Sequence, residues 1–418
     1  MVYAVSVRKQ KNTSSPPSGQ NATKVGRQSY TPISDALSQP NTLADNEFSD
    51  GLVQFNLVGL LSRSFKRKRR NDGVQFSQIV MTLLVWPILK VSSIHCFCQE
   101  LGQYLRREGK RPERPEDIIY DFWACEDINW RSWACNVSRQ VGAQIDIGSP
   151  DKSAFVVDDT LKGRRGKKVE GTSRHYDHNR GITIAGHQCL ELGLAGENGF
   201  LPVDRQLFMG NKGAVDKDNF KDNRSAAAQD MKRARDENKH QMLARMLKAA
   251  IKNGHKAAYL IGDAWFGTKA NIALAVDHDL KAIFQMKRGK LNYRVNDILY
   301  SAAQLHALHA RRMKATSAKA RFKMARIEAE LNLETRPGAE PVWQSVVLIL
   351  SAPNDDNKEN WVLFLSTDTA ASSGQILEIY ALRWSVEVYF KELKQNFGLL
   401  AEQRCGKLPG SFDAERGP

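Results

Sequence analysis

Runs of apolar residues that end abruptly in acids mark out the middle of this chain. Residues 154–157 are apolar without a break and stop at Asp158-Asp159-Thr160, and residues 257–262 do the same and stop at Asp263. Short uninterrupted apolar runs of this kind predict strands buried on both faces. Two further strands are predicted over 181–194 and 200–208, joined through Gly196-Glu-Asn-Gly199, and another over 281–286. Between them a long charged helix is predicted over 224–253, stopped by Gly254. Strands at 342–350 and 361–366 precede a last helix. That helix opens at Ser372 with Gln375 three residues on, has apolar anchors at Ile376, Ile379, Val386, Phe390, Leu393 and Phe397, and stops at Gly398. Strands alternating with helices in this order predict an α/β fold, a mixed sheet with helices on its faces. Upstream, residues 1–50 have few large apolar side chains and read as a disordered tail, and a helical pattern begins near residue 52.

The last helix carries an unusual set of polar residues. At about 100° per residue, Tyr380, Arg383, Glu387 and Lys394 fall within roughly one 60° sector of a continuous helix. An ordinary amphipathic helix would pair Glu387 with Lys391 on its wet side. A carboxylate flanked by two cations and a phenol on one stripe suits a metal ion and a polyanion held together instead. In an open sheet ligands gather beyond the strand ends, where Asp158 or Asp159 would meet Asp263, with Glu387 arriving from the helix. Three converging carboxylates repel unless cations neutralise them, which points to Mg²⁺ or Mn²⁺. Asp158 and Asp159 point to opposite faces of a strand, and the sequence leaves open which of them is the first acid.

Charge narrows the partner. The 418 residues hold 61 Lys plus Arg against 46 Asp plus Glu, a formal charge of +15 with pI near 9.5, so the chain is built to meet an anion, foremost nucleic acid. The dense basic runs Lys66-Arg67-Lys68-Arg69-Arg70 and 164–168 are candidate phosphate contacts. A membrane is not indicated, because the longest apolar run, 79–89, is about half a span and contains Pro87. The polar start of the chain is unlike a signal peptide, which predicts a cytoplasmic protein. Six scattered cysteines show neither zinc nor disulfide spacing. His175 with His178, and His306 with His309, lack the further ligands of a zinc site.

Tyr380, Arg383, Glu387 and Lys394 stand at the spacing Tyr, two residues, Arg, three residues, Glu, six residues, Lys, and in this the chain resembles bacterial insertion-sequence transposases of the DDE type. The resemblance runs from about residue 78 to 403 and takes in Leu84-Val-Trp-Pro87, Phe200-Leu-Pro202 and Gly262-Asp-Ala-Trp265. It implies a ribonuclease H-like catalytic core over 151–288 and 366–403, interrupted by a β-containing insertion at 289–365, after a DNA-binding helical region at 51–150. It implies Asp263 and Glu387 as second and third catalytic and metal-binding acids, with two Mg²⁺ ions per site or Mn²⁺ in their place. Arg383 and Lys394, with Tyr380, would contact DNA, and Trp361 would stack on an unpaired base. The implied partners are double-stranded DNA, as transposon ends and target, and a second copy of the chain on that DNA, at the bacterial nucleoid. The chain stops 24 residues after Lys394, where resembling proteins continue. The polar stretch 404–418 therefore suggests a truncated copy, with Phe390, Leu393, Phe397 and Leu399-Leu400 left partly exposed. A decayed transposase that only binds DNA or inhibits is the alternative.

Overall fold

Four consecutive side chains, Ala154, Phe155, Val156 and Val157, are wholly buried, and a strand with no wet face has to lie inside a sheet. The computed structural model describes residues 54–63, 74, 79–80, 82–83, 86, 93–101, 114–166, 169–177, 180–215, 220–315, 322–353 and 360–397. The tail at 1–50, the basic run 66–70, the segment 404–418 and Leu399-Leu400 lie outside these residues.

The helical N-terminal region comprises α1 (Leu57–Arg63), α2 (Ile94–Leu101), α3 (Pro115–Trp123) and α4 (Trp130–Gly142). The strands β1 (Ala154–Gly163), β2 (Ser173–Asp177), β3 (Ile182–Gly196) and β4 (Gly199–Phe208) follow. Two helices come next, α5 (Ala226–Asp236) and α6 (Lys239–Lys252), then β5 (Tyr259–Gly262), α7 (Lys269–Val276) and β6 (Lys281–Met286). Beyond these lie β7 (Asn292–Val295), β8 (Ile298–Ser301), α8 (Ala302–His309), β9 (Lys314–Ala315), β10 (Phe322–Asn332), β11 (Trp343–Pro353) and β12 (Val362–Ser366). The chain closes with α9 (Ser373–Ala381) and α10 (Trp384–Asn396).

β1 is antiparallel to β3 on one side and parallel to β5 on the other. β4 pairs with β3, and β6 runs parallel to β5. The resulting order β4-β3-β1-β5-β6 is that of a ribonuclease H-like sheet with flanking helices. Residues 289–365, expected as an insertion, continue this sheet: β12 pairs antiparallel with β6, and β11, β10, β7 and β8 extend it in turn. Alternation along the central strands sorts side chains onto two cores. Phe155, Val157, Leu260 and Phe284 face α4, α6 and α7, while Val156, Ile261 and Ile283 face Ile376, Val386, Tyr389 and Phe390 of the last two helices. The N-terminal helices enclose a separate apolar cluster around Leu61, Ile79, Phe97, Ile119 and Phe122. Among the described residues no helix is long and apolar enough to cross a membrane.

Three expectations need correction. The single helix over 224–253 is two, because Asn238 caps α6 in a reciprocal box with Gln241 and ends the run there. Phe390, expected to be partly exposed, is 7% exposed and packs in the core under the sheet, whereas Leu393 and Phe397 are partly exposed as expected. Trp361 is 6% exposed. Its ring stacks on His306 at 4.3 Å and 5°, with the Arg288 guanidinium 4.3 Å from its centroid, so a nucleic-acid base reaches it only by displacing these partners. It is a core residue of the extended sheet.

A buried polar knot holds α10 down. Arg205 on β4 donates to Glu191 on β3 at 2.6 Å and to the Tyr389 hydroxyl at 3.0 Å, and burial pushes the Glu191 carboxyl up to about 7 against the opposing pull of Arg205. Replacing Arg205 with Met leaves Glu191 buried without its cation, and urea denaturation at pH 8 is expected to show a loss of about 3 kcal/mol or more. An unchanged midpoint would mean that Glu191 is already neutral. Trp361→Ala empties a packed aromatic site and should cost about 3–5 kcal/mol in the same measurement.

Candidate active site

The parallel pairing of β1 with β5 sets Val156 beside Ile261 and Val157 beside Gly262. One residue further on stand Asp158 and Asp263, each following the face of Val156 and Ile261. Gly262 keeps the strands in that register: a Cβ there would lie 3.0 Å from Val157 Cγ1 and 3.1 Å from carbons of Phe266 and Phe284, so only glycine fits without a shift. Past Gly262 the backbone turns at once. Asp263 Oδ1 accepts the backbone N–H groups of Trp265 at 2.9 Å and Phe266 at 3.3 Å, which fixes its carboxylate at the strand end.

Asp158 is strongly perturbed by its surroundings. Burial first, and then the negative charge of Asp263, push its carboxyl up to about 7, opposed by the Asp159 backbone N–H and by Arg383. Asp159 points to the opposite face, as neighbours on a strand must. Its Oδ1 accepts from Gln188 Nε2 at 2.7 Å, and its Oδ2 pairs with Lys239 Nζ at 2.6 Å. The two neighbours thus have different partners, Asp158 the Arg383 guanidinium and Asp159 the Lys239 ammonium, while both line the cavity described below.

The stripe of polar residues on the last helix is brought about differently from the expectation. α9 and α10 are separate helices, joined by tight turns in which Leu382 N–H bonds to Ile379 O and Arg383 N–H to Tyr380 O, each at 3.0 Å. Angles computed along one continuous helix therefore do not apply across Arg383. The break places the Arg383 Nη1 between two acids, 2.7 Å from Glu387 Oε1 and 3.3 Å from Asp158 Oδ2. Glu387 pairs with Arg383, not with Lys391. The Arg383 Nε is buried without a hydrogen-bond partner, a donor left over in a site already rich in acids. Tyr380 lies edge-on to Phe364 at 4.8 Å, and burial pushes its hydroxyl up to about 12.

A cavity of about 390 Å³ opens at the strand ends. Asp158, Asp159, Asp263, Lys239, His175, Trp265 and Lys394 are among its lining residues. Lys394 is lowered from the ordinary lysine value, by burial first and then by the charge of Lys162. Of the expected site residues, Asp158, Asp159, Asp263 and Lys394 line this cavity, and Arg383 links Glu387 to Asp158. Trp361 takes no part, and Lys66 to Arg70 lie outside the described residues. Among the described residues no three Asp, Glu, His or Cys side chains stand together as a ready-made metal group. The nearest arrangement is two acids and a guanidinium. Sequence reading missed Lys239 and Gln188. The spacing Asn238-x-x-Gln241 could have revealed the first, since it marks the helix start that brings Lys239 to the cavity.

Residues 105–323 match a family model described as DDE superfamily endonuclease, more than half of the chain and including Asp158, Asp159 and Asp263. No curated protein matches the chain.

The buried Asp158 carboxyl makes stability depend on pH in a definite direction. Its folded value of about 7 lies above the ordinary aspartate value of 3.8, so its favourable contribution is complete below about pH 4 and is lost as pH rises through 7. In chelator, Asp158→Asn should therefore stabilise the protein at pH 8 by about 1–3 kcal/mol, from roughly 1.4 kcal/mol per unit of pKa, and the gain should vanish toward pH 4. A difference that stays constant with pH in parallel denaturation curves would refute this.

Proposed function

The chain belongs to the DDE superfamily of endonucleases, and on that premise we propose that it is a transposase, which cleaves DNA at the ends of a bacterial insertion sequence and transfers those ends to target DNA. The observation that carries this reading is the pairing of Asp158 with Asp263 at the ends of two parallel strands, with Arg383 joining Glu387 to the pair. The spacing of Tyr380, Arg383, Glu387 and Lys394 supports the transposase subgroup over a general nuclease.

The donor set fits hard divalent ions. It is all carboxylate oxygen, and the raised Asp158 value shows negative charge crowded into a buried spot, which a divalent cation relieves. Asp158, Asp263 and Glu387 would hold Mg²⁺, with Mn²⁺ as a substitute and two ions in the site. Bound there, the ions would activate water or a DNA 3′-hydroxyl and stabilise the leaving oxygen during in-line displacement at phosphorus. The chain's own residues do the rest. Asp263 is held by backbone N–H groups and needs no further ordering. Arg383 has an unused Nε–H and is suited to a phosphate oxygen once its acids turn to a metal ion. Lys394, at the cavity rim, supplies a point charge for the neighbouring phosphate. The helical region before β1 and the basic runs would hold the duplex, as a homodimer on DNA at the nucleoid.

Cleavage of a DNA substrate carrying the element's ends, measured over a range of Mg²⁺, tests this reading. Asp158→Asn, Asp263→Asn and Glu387→Gln should each lower the rate at saturating Mg²⁺ by at least about a thousandfold, or about 4 kcal/mol of barrier, while DNA binding persists. Asp159→Asn should retain cleavage at saturating Mg²⁺. Full activity of Glu387→Gln would sink the proposal. Affinity for DNA should fall linearly on a log scale with log salt, as phosphate contacts require.

A further inference from the structure

Lys239 is a lysine where a lysine is expensive. Its side chain is 7% exposed, at the first position of α6, and it lines the same cavity as Asp158 and Asp263. A buried ion pair is a poor source of stability, since apolar side chains of similar volume often serve as well or better. What such a pair does supply is a fixed geometry between the elements that carry the charges.

The elements joined here are the two that carry the catalytic acids. On one side Lys239 Nζ is 2.6 Å from Asp159 Oδ2, on the residue next to Asp158. On the other it lies 4.6 Å from the centre of the Trp265 ring, and 5.1 Å from that of Phe208. The Trp265 backbone N–H is in turn a donor to Asp263 Oδ1 at 2.9 Å. The following residue on α6, His240, stacks on the same indole at 5.1 Å and 13°, and its Nδ1 is 3.0 Å from Asn271 Oδ1. The N-terminus of α6 therefore grips the end of β1 through a charge and the Asp263 turn through an aromatic face. Asp159 has one oxygen on Lys239 and the other on Gln188. Its negative charge still adds to that of Asp263 in raising Asp158, so its engagement by Lys239 fixes which of the two neighbouring carboxylates is turned toward Asp263.

We infer that Lys239 is a positioning residue, which sets the separation of the Asp158 and Asp263 carboxylates and keeps Asp159 out of the cation site between them. The inference rests on the metal-site reading above and goes beyond it, because Lys239 touches neither acid directly. It accounts for the pairing of two adjacent acids with opposite fates on one strand.

The test uses Mn²⁺ alone, titrated against the full chain and followed by the electron paramagnetic resonance of the free ion. Lys239→Met is expected to weaken Mn²⁺ binding ten- to a hundredfold. The neutral pair Lys239→Met with Asp159→Asn avoids stranding a charge and should melt in chelator within a few degrees of the unaltered protein, yet still bind Mn²⁺ at least fivefold more weakly. A merely structural lysine would move the melting temperature and leave the affinity of the folded protein alone. Trp265→Leu, which cuts the other arm, should also weaken Mn²⁺ binding and serves if the lysine variants fail to fold. Unaltered Mn²⁺ affinity in these variants overturns the role of Lys239 while leaving the metal site standing. An unaltered protein that binds no Mn²⁺ would refute both.

Discussion

Everything at the candidate site depends on one register, the parallel pairing that sets Val157 of β1 beside Gly262 of β5. Both strands are buried on both faces, so a slip by one residue would exchange the side chains fitted to the two cores, Val156 and Ile261 for Val157 and Gly262. Each strand then continues into an aspartate at the position where the pairing stops. The close packing of Gly262 against Val157, Phe266 and Phe284 leaves no slack. Two carboxylates that repel each other are held side by side because the cores above and below the sheet hold the strands. Burial first, and the Asp263 charge second, raise the Asp158 carboxyl there, a cost that the apolar packing of both strands offsets.

Arg383 balances the charge. Its guanidinium stands between Asp158 and Glu387, at the tight turn where α9 passes into α10. The helix that bears Glu387 is secured from behind by Tyr389, which sits two residues on and binds Arg205 within the Glu191 knot. Glu191 lies directly opposite Asp158 across the β1–β3 ladder. Buried charges thus flank β1 on several sides, and each is either paired or crowded. Charges crowded in this way cost stability unless each finds a partner.

Much of this was legible in the sequence. The runs 154–157 and 257–262 with their terminal acids, the strand 281–286 and the apolar spacing after Ser372 foretold the central strands, the acids at two strand ends and the helical C-terminal segment, though as one helix where there are two. The rest required contacts that a pattern does not carry. Separating the surroundings of Asp158 and Asp159 needed the faces of β1, which are defined by Val156 packing toward α9 and α10 and Val157 toward α6. The break at Arg383 leaves no proline or glycine signal, because it is made by tight turns of ordinary residues. Trp361 reads equally as a stacking platform or a core residue until His306 and Arg288 are seen on its ring. Lys239 was concealed inside a helix run that looked continuous, and its partner Asp159 lies 80 residues away.

The most direct measurement is anomalous X-ray diffraction from crystals of the full chain grown with saturating Mn²⁺. The account predicts a peak between Asp158 and Asp263, with carboxylate oxygens at about 2.0–2.2 Å as for small hard divalent ions. It also predicts that the Arg383 guanidinium will have moved off Asp158 while Asp159 remains on Lys239. A peak coordinated by Asp159 in place of Asp158, or no peak at the strand ends with Arg383 still bound to Asp158, would contradict it.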